Sequence, residues 1–210
     1  SINGMGTKYF HAYSTGPDAN ATGTDSVAMG SSSAASGQDS ISGGTASVAS
    51  GDYSSAYGYM SNASGQDSIA IGNSATADHS GAIAMGLNAS SSGDNAIAIG
   101  TGSSATGSVA LGNGASASNG GAALGDFAVA TGTSYATAVG PSASSTGNAS
   151  YAGGYHSVAS GDYSLAVGTA SSATVENAVA LGNGASASAQ NSVALGSYSV
   201  ADTANTVSVG

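Results

Sequence analysis

The sequence predicts an all-β protein, a parallel β-roll (β-solenoid) of about 14 coils. Three observations predict it. A glycine closes an SxAxG-like pentapeptide again and again, at a spacing of 14 residues in ten of thirteen intervals. Apolar residues alternate with period two on the approach to that glycine. The chain also lacks the side chains for a thick core: of 210 residues 34 are Gly, two are Phe and none is Trp, and the 40% hydrophobic fraction is mostly Ala.

The glycines are Gly30, Gly44, Gly58, Gly72, Gly86, Gly100, Gly112, Gly125, Gly140, Gly154, Gly168, Gly182, Gly196 and Gly210. The intervals that depart from 14 are 12, 13 and 15, and they lie together between Gly100 and Gly140. The 13 and the 15 cancel, so the decapeptide VALGNGASAS at 109–118 returns at 179–188, a separation of five periods.

Each coil has two halves. The first runs into the glycine, as DSIAIG at 67–72 or NSVALG at 191–196. Larger apolar residues stand one and three places before the glycine, such as Ile69 and Ile71. Between them is Ala in most repeats, including Ala70, Ala98, Ala180 and Ala194. That is a strand with a bulky face and a small face. The second half is a shorter strand three to five places after the glycine, with small residues on one face: Ala75 and Ala77, Ser157 and Ala159, Ala185 and Ala187.

Turn residues separate the halves. The repeat glycine, at Gly30, Gly72, Gly100, Gly182 and Gly196 among others, permits positive φ at one corner. Another glycine recurs seven places later, as at Gly37, Gly51 and Gly65. Asp or Asn stands five places before the repeat glycine (Asp25, Asp39, Asp67, Asn95, Asn177), where its side chain is expected to bond its own turn. Strands stacked in parallel at about 4.8 Å give a rod of very roughly 65 Å. Helix loses to this reading because Gly and Ser interrupt every few residues and the apolar period is two. Disorder loses because a linker need not keep Ile, Val and Ala at fixed places.

A single coil buries too little to offset roughly 1–2 kcal/mol of backbone entropy per ordered residue. If the Ile/Val pair fills the roll, the Ala column faces outward and suits close approach of another sheet. The expectation is then a rotationally symmetric oligomer packed along the Ala columns. The opposite assignment, Ala inside and Ile/Val at the contact, stays open.

The residues DSIAIGNSATA (67–77), NSVALGSYSVA (191–201) and SVASGDYSLAVG (157–168) resemble the head repeat of trimeric autotransporter adhesins, the YadA-like head. KYFHAYS at 8–14 is similar to the segment that opens such heads, and NTVSVG at 205–210 to the last repeat before the neck and coiled-coil stalk. The resemblance implies an N-terminal cap segment at 1–16 and one repeat head over 17–210, ending before a neck and stalk outside this sequence. It implies a left-handed parallel β-roll in a side-by-side homotrimer, displayed at the surface of a Gram-negative bacterium and anchored in the outer membrane by a part outside this sequence. It implies attachment to a host extracellular matrix protein (collagen, fibronectin or laminin) or a cell-surface receptor. The pattern is broken where bulky positions become Gly43, Ser55, Ala122, Thr137 and Gly153, and the small position becomes Ser42 and Ser208. The short repeats near 101–125 are expected to perturb a coil or bulge a turn.

Charge and composition exclude other classes. Lys8 is the single cation against eleven carboxylates, a net charge of -10, so nucleic acid and anionic membrane are repelled. Without cysteine there is neither a disulfide framework nor a thiolate site. No apolar run reaches the roughly 20 residues of a membrane helix. The opening SINGMG lacks the basic and apolar regions of a signal peptide and reads as an internal piece. No catalytic constellation, cofactor motif or metal site is expected: His11, His79 and His156 occupy different repeat positions, and the period differs from the nonapeptide of calcium-binding rolls. An ice-binding solenoid would show a Thr ladder, and Thr is scattered.

Tyrosine is the feature with binding chemistry. Tyr53, Tyr135 and Tyr163 replace the turn Asp or Asn, and Tyr59 and Tyr155 follow the repeat glycine. All five are expected near turns and solvent, as candidate ligand contacts or as covers for the neighbouring coil. The chain reads as a non-enzymatic adhesive head, with a structural spacer projecting a more distal domain as the alternative.

Overall fold

The computed structural model describes residues 15–210. Of the cap segment at 1–16, residues 1–14, with Lys8 and His11, lie outside the described residues.

Twenty-eight short strands form two parallel sheets of 14 strands each, and successive strands alternate between the sheets. Each coil therefore contributes one strand to each sheet, and there are 14 coils. The front sheet holds the three-residue strands before the repeat glycine, such as Ile69–Ile71. The back sheet holds the strands after it, such as Thr76–Ala77. Pairing is in register: Ile69, Ile83, Ile97 and Val109 stack in one column, and Ala70, Ala84, Ala98 and Ala110 in the next. The turns stack too. Gly72 N–H donates to Tyr57 O at 2.8 Å, and Asp67 N–H to Asp52 O at 2.8 Å, so the backbone ladder runs around the whole coil.

The structure decides which face is inside, against the expectation that the Ala column faces outward. Ala70, Ala98, Ala180 and Ala194 are fully buried between the sheets, and the Ile/Val columns point out. The reason is the gap. Opposite Ala70, the back strand presents Ala75 and Ala77, also fully buried. Two sheets meeting through methyl groups leave no space for Ile. Ser substitutes for Ala in this interior without a gap because its hydroxyl folds back onto the turn: Ser47 Oγ donates to Gly44 O at 2.8 Å and Ser157 Oγ to Gly154 O at 2.9 Å. Ser42 in the Ala column bonds Ser47, with Oγ to Oγ at 2.7 Å. Ser40, Ser54, Ser68 and Ser164 make no such bond, although Ser26 and Ser150 at the same repeat position bond the carbonyls of Gly23 and Gly147.

The two kinds of turn differ. Four residues link front strand to back strand in every coil, as between Ile71 and Thr76 or Leu111 and Ser116. The return turn takes all the length variation. In the coils closed by Gly112, Gly125 and Gly140 it loses two residues, loses one and gains one, while Ile97↔Val109, Val109↔Ala122 and Ala122↔Thr137 keep register. The short repeats therefore reshape one edge and leave the sheets intact.

The repeat glycine meets both demands of its corner. Gly72 has φ +133, and a Cβ there would sit 2.5 Å from Gly86 O. The second glycine is different: Gly51 has no positive φ, but a Cβ would run into the carbonyl of Gly65. The Asp/Asn column occupies the left-handed region, as at Asp25 (φ 56) and Asn177 (φ 57). In the last three repeats its side chains bond across coils, where Asn177 Nδ2 donates to Asn191 Oδ1 at 3.1 Å and Asn191 Nδ2 to Asn205 Oδ1 at 2.9 Å; Asp39 instead accepts from Gln38 Nε2 of its own turn at 3.1 Å. The broken bulky positions leave no holes, since they lie outside. The Tyr57 and Tyr151 rings lie over Gly43 and Gly153, where a Cβ would come within 2.6 and 2.7 Å of them.

The buried slot yields a direct test. Ala98→Leu is expected to cost about 3 kcal/mol or more by overpacking, while Ile97→Leu on the outer face costs under about 1 kcal/mol. Urea unfolding followed by circular dichroism measures both, and equal midpoints would show that Ala98 does not face a closed interior.

Candidate functional site

The roll presents two faces and two edges. The front face carries the apolar pair of most coils. Ile69, Ile83 and Ile97 are half-buried, and Ile71, Met85, Ile99, Leu111, Leu124, Val167 and Leu195 are exposed. The back face is mostly hydroxyl-bearing or small, as Thr76, Ser90, Ser104 and Ser116.

The return-turn edge carries most of the charge. Asp25, Asp39, Asp52, Asp67, Asp78, Asp94, Asp162, Glu176 and Asp202 all lie in those turns, and the described residues contain no Lys or Arg. Some of these carboxylates are tied to the neighbouring coil. Asp52 accepts from Gln38 N–H and Asp162 from Asn148 N–H, both at 2.8 Å. Glu176 accepts from Gln190 Nε2 at 3.0 Å. His79 Nδ1 lies 2.9 Å from Asp78 Oδ1 on the exposed surface. That hydrogen bond, opposed by desolvation and aided by the negative charges of Asp78 and Asp94, raises the imidazole pKa above its ordinary 6.5. Among the described residues no three His, Cys, Asp or Glu side chains are grouped to hold a metal ion. No helix of the described residues is long and apolar enough to cross a membrane.

The five candidate tyrosines are exposed but do not converge. Tyr53 (51% exposed), Tyr135 (74%) and Tyr163 (58%) stand on the return-turn edge; Tyr59 and Tyr155 (53% each) stand on the opposite edge. Each of the first three touches the preceding coil. Gln38 Nε2 donates to Tyr53 OH at 3.4 Å and Asn148 Nδ2 to Tyr163 OH at 3.3 Å. The Tyr135 ring lies over Gly120. Tyr155 meets the His156 ring edge-on at 4.1 Å. For Tyr53, Tyr135 and Tyr163 the contact with the preceding coil still leaves much of each ring open to solvent.

Four further aromatics escape a reading of the turns. Tyr57 and Tyr151 lie on the front face. Phe127 and Tyr198 adopt positive φ and cover Gly114 and Gly184 of the coil before. The signal is in the sequence: a glycine two places after the repeat glycine, then an aromatic at the same place one coil on.

The chain matches the repeat described as the YadA head domain repeat, over residues 11–33, 35–61, 63–89, 80–103, 159–185 and 187–210. These matches omit 104–158, which holds most of the shortened and lengthened coils. No curated protein matches the chain. Among solved structures, the collagen-binding domain of the Yersinia adhesin YadA is similar at 22% identity, covering 92% of this chain and 70% of that one, with a TM-score of 0.25. The repeat matches together span well over half of the chain. The chain belongs to the YadA-like head domains of trimeric autotransporter adhesins.

Proposed function

We propose that this chain is a host-attachment head acting as a homotrimer at the cell surface, with an extracellular matrix protein such as collagen as its ligand and no enzymatic role. The observation that carries the assembly is the front face. Its two outward columns hold apolar or small residues through all 14 coils and no charge, while the carboxylates stand mainly on one edge. A stripe of that length exceeds what a monomer ordinarily leaves wet. Three chains meeting along it bury the Ile, Val and Leu side chains that the narrow interior rejects. The back faces and edges then form the outer surface of the fibre.

Family membership supports the adhesive role, and with it a host surface or matrix as the ligand class. The surface suits it. It is long, repetitive and without a deep cleft, so many weak contacts from three chains add through avidity. The outer membrane is the place of display, reached through an anchor outside this sequence, and neither a cofactor nor nucleic acid is required.

Two measurements test this. The isolated chain, of 19.4 kDa, is expected to scatter light as a trimer at micromolar concentration. Ile97→Asp with Ile99→Asp should return it to a single-chain mass while the β circular dichroism persists, since both residues face outward. Fused to a trimeric coiled coil, the chain is expected to bind immobilised collagen saturably, with fibronectin and laminin tested beside it and the coiled coil alone as control. Replacing Tyr53, Tyr59, Tyr155 and Tyr163 together by Ser should weaken that binding about tenfold or more. A folded trimer that binds none of the three would favour the spacer.

A further inference from the structure

Three Asn-Gly pairs lie in the described residues: Asn113-Gly114, Asn119-Gly120 and Asn183-Gly184. Asn-Gly is the dipeptide most prone to spontaneous deamidation, because glycine leaves its backbone nitrogen unhindered. In that reaction the glycine nitrogen attacks the asparagine side-chain carbonyl. A C–N bond forms, the bond to Nδ2 breaks and ammonia leaves. Water then opens the cyclic imide to aspartate or isoaspartate. The reaction needs a backbone nitrogen that is free to move and to lose its proton.

Two of the three nitrogens are held. Gly114 N–H donates to Thr101 O and Gly184 N–H to Thr169 O, each at 2.8 Å, within the ladder of the constant turn. Gly120 N–H donates no hydrogen bond to any described residue. The cause is the coil beneath it. In regular coils the return turn stacks on an equal turn, as Asp67 N–H on Asp52 O and Asn95 N–H on Ser80 O. The return turn before Gly120 is two residues short, so between Thr106 and Val109 stand only Gly107 and Ser108. A Cβ placed on Gly107 would meet nothing within 4 Å. Asn119 and Gly120 are both exposed to the water that completes the reaction.

We propose that Asn119 is a self-modification site, converted to aspartate or isoaspartate by the Gly120 backbone nitrogen while Asn113 and Asn183 are protected. The conversion acts on what Asn119 holds. Its Nδ2 donates to Gly132 O at 3.1 Å, and its own carbonyl accepts from Tyr135 N–H at 3.1 Å. A carboxylate in place of the amide faces the Gly132 carbonyl with an acceptor and a negative charge. The lengthened turn that carries Tyr135 then loses a tie to the coil before it. The inference is independent of the ligand and of the oligomeric state.

The test is peptide mapping by mass spectrometry after incubation of the folded chain at mildly alkaline pH and 37 °C. The synthetic peptides SNGGAA and LGNGAS run beside it as unfolded references. Asn119 is expected to convert at least about tenfold faster than Asn113 and Asn183, with Asn119→Gln abolishing the signal at that site. The repeated decapeptide supplies an internal control, since Asn113 and Asn183 share ten residues of context. Equal rates at the three sites would overturn the proposal. So would an unreacted Asn119 after a time in which SNGGAA is half converted. Asn119→Asp should raise hydrogen exchange across 131–136 several-fold over the unsubstituted chain; unchanged exchange would refute the link to the Tyr135 turn.

Discussion

The interior of this roll is one methyl deep from each side, and the rest of the molecule depends on that gap. Ala70 from the front sheet meets Ala75 and Ala77 from the back, all fully buried. Anything larger must point outward, so Ile69 and Ile71 line the surface. Ser also fits, and at many positions its hydroxyl closes onto its own turn, as Ser157 does on Gly154. The four-residue front-to-back turn sets the gap, which explains why it keeps its length where the other turn does not. Burying methyls yields little per residue, roughly 0.8 kcal/mol per CH2, so the backbone ladder around every coil supplies much of the remainder.

The period, the two strands per coil and the parallel stacking were legible in the spacing of Gly, Ala and Ile/Val. Which strand face is buried was not. Alternation defines two faces and is unchanged when they are exchanged. The rule that larger apolar side chains go inside belongs to thick cores, and it pointed the wrong way here. The deciding clue lay in the second half of the coil. Ala75, Ala77, Ala185 and Ala187 offer only small residues, and an interior shared by two strands cannot be wide if one of them contributes methyls. The Asp/Asn column sits at its turn as the spacing implies, while the ladder from Asn177 through Asn191 to Asn205 runs from coil to coil, because stacked amides can both donate and accept. The exposure of the five tyrosines was legible, whereas their division between two edges follows from which turn each one occupies.

Length variation marks where this architecture tolerates change. The coils closed by Gly112, Gly125 and Gly140 differ in length, yet Ile97, Val109, Ala122 and Thr137 stay in one column. All of the change is discharged at the return-turn edge. The same stretch, 104–158, lies outside the family repeat matches. It carries the most exposed of the candidate tyrosines, Tyr135, and Asn119-Gly120, the one Asn-Gly pair among the described residues whose glycine N–H donates no hydrogen bond. A fibre built from equal coils gains distinct chemistry mainly by breaking the equality, and the return turn is where a break leaves the sheets intact.

Charge placement completes the argument. Each chain carries -10 with no cation among the described residues, so chains brought side by side repel. Screening acts over about 8–10 Å at physiological salt, comparable to the spacing of two coils. Repulsion is weakest if the carboxylates stay off the surface where chains meet. No Asp or Glu occupies either outward column of the front face, and nine of the eleven stand on the return-turn edge, so the proposed trimer would meet on an uncharged face. An apolar front and an acidic edge are therefore two aspects of one solution. The narrow interior expels the large apolar side chains onto one face, and the charges gather beside that face instead of on it.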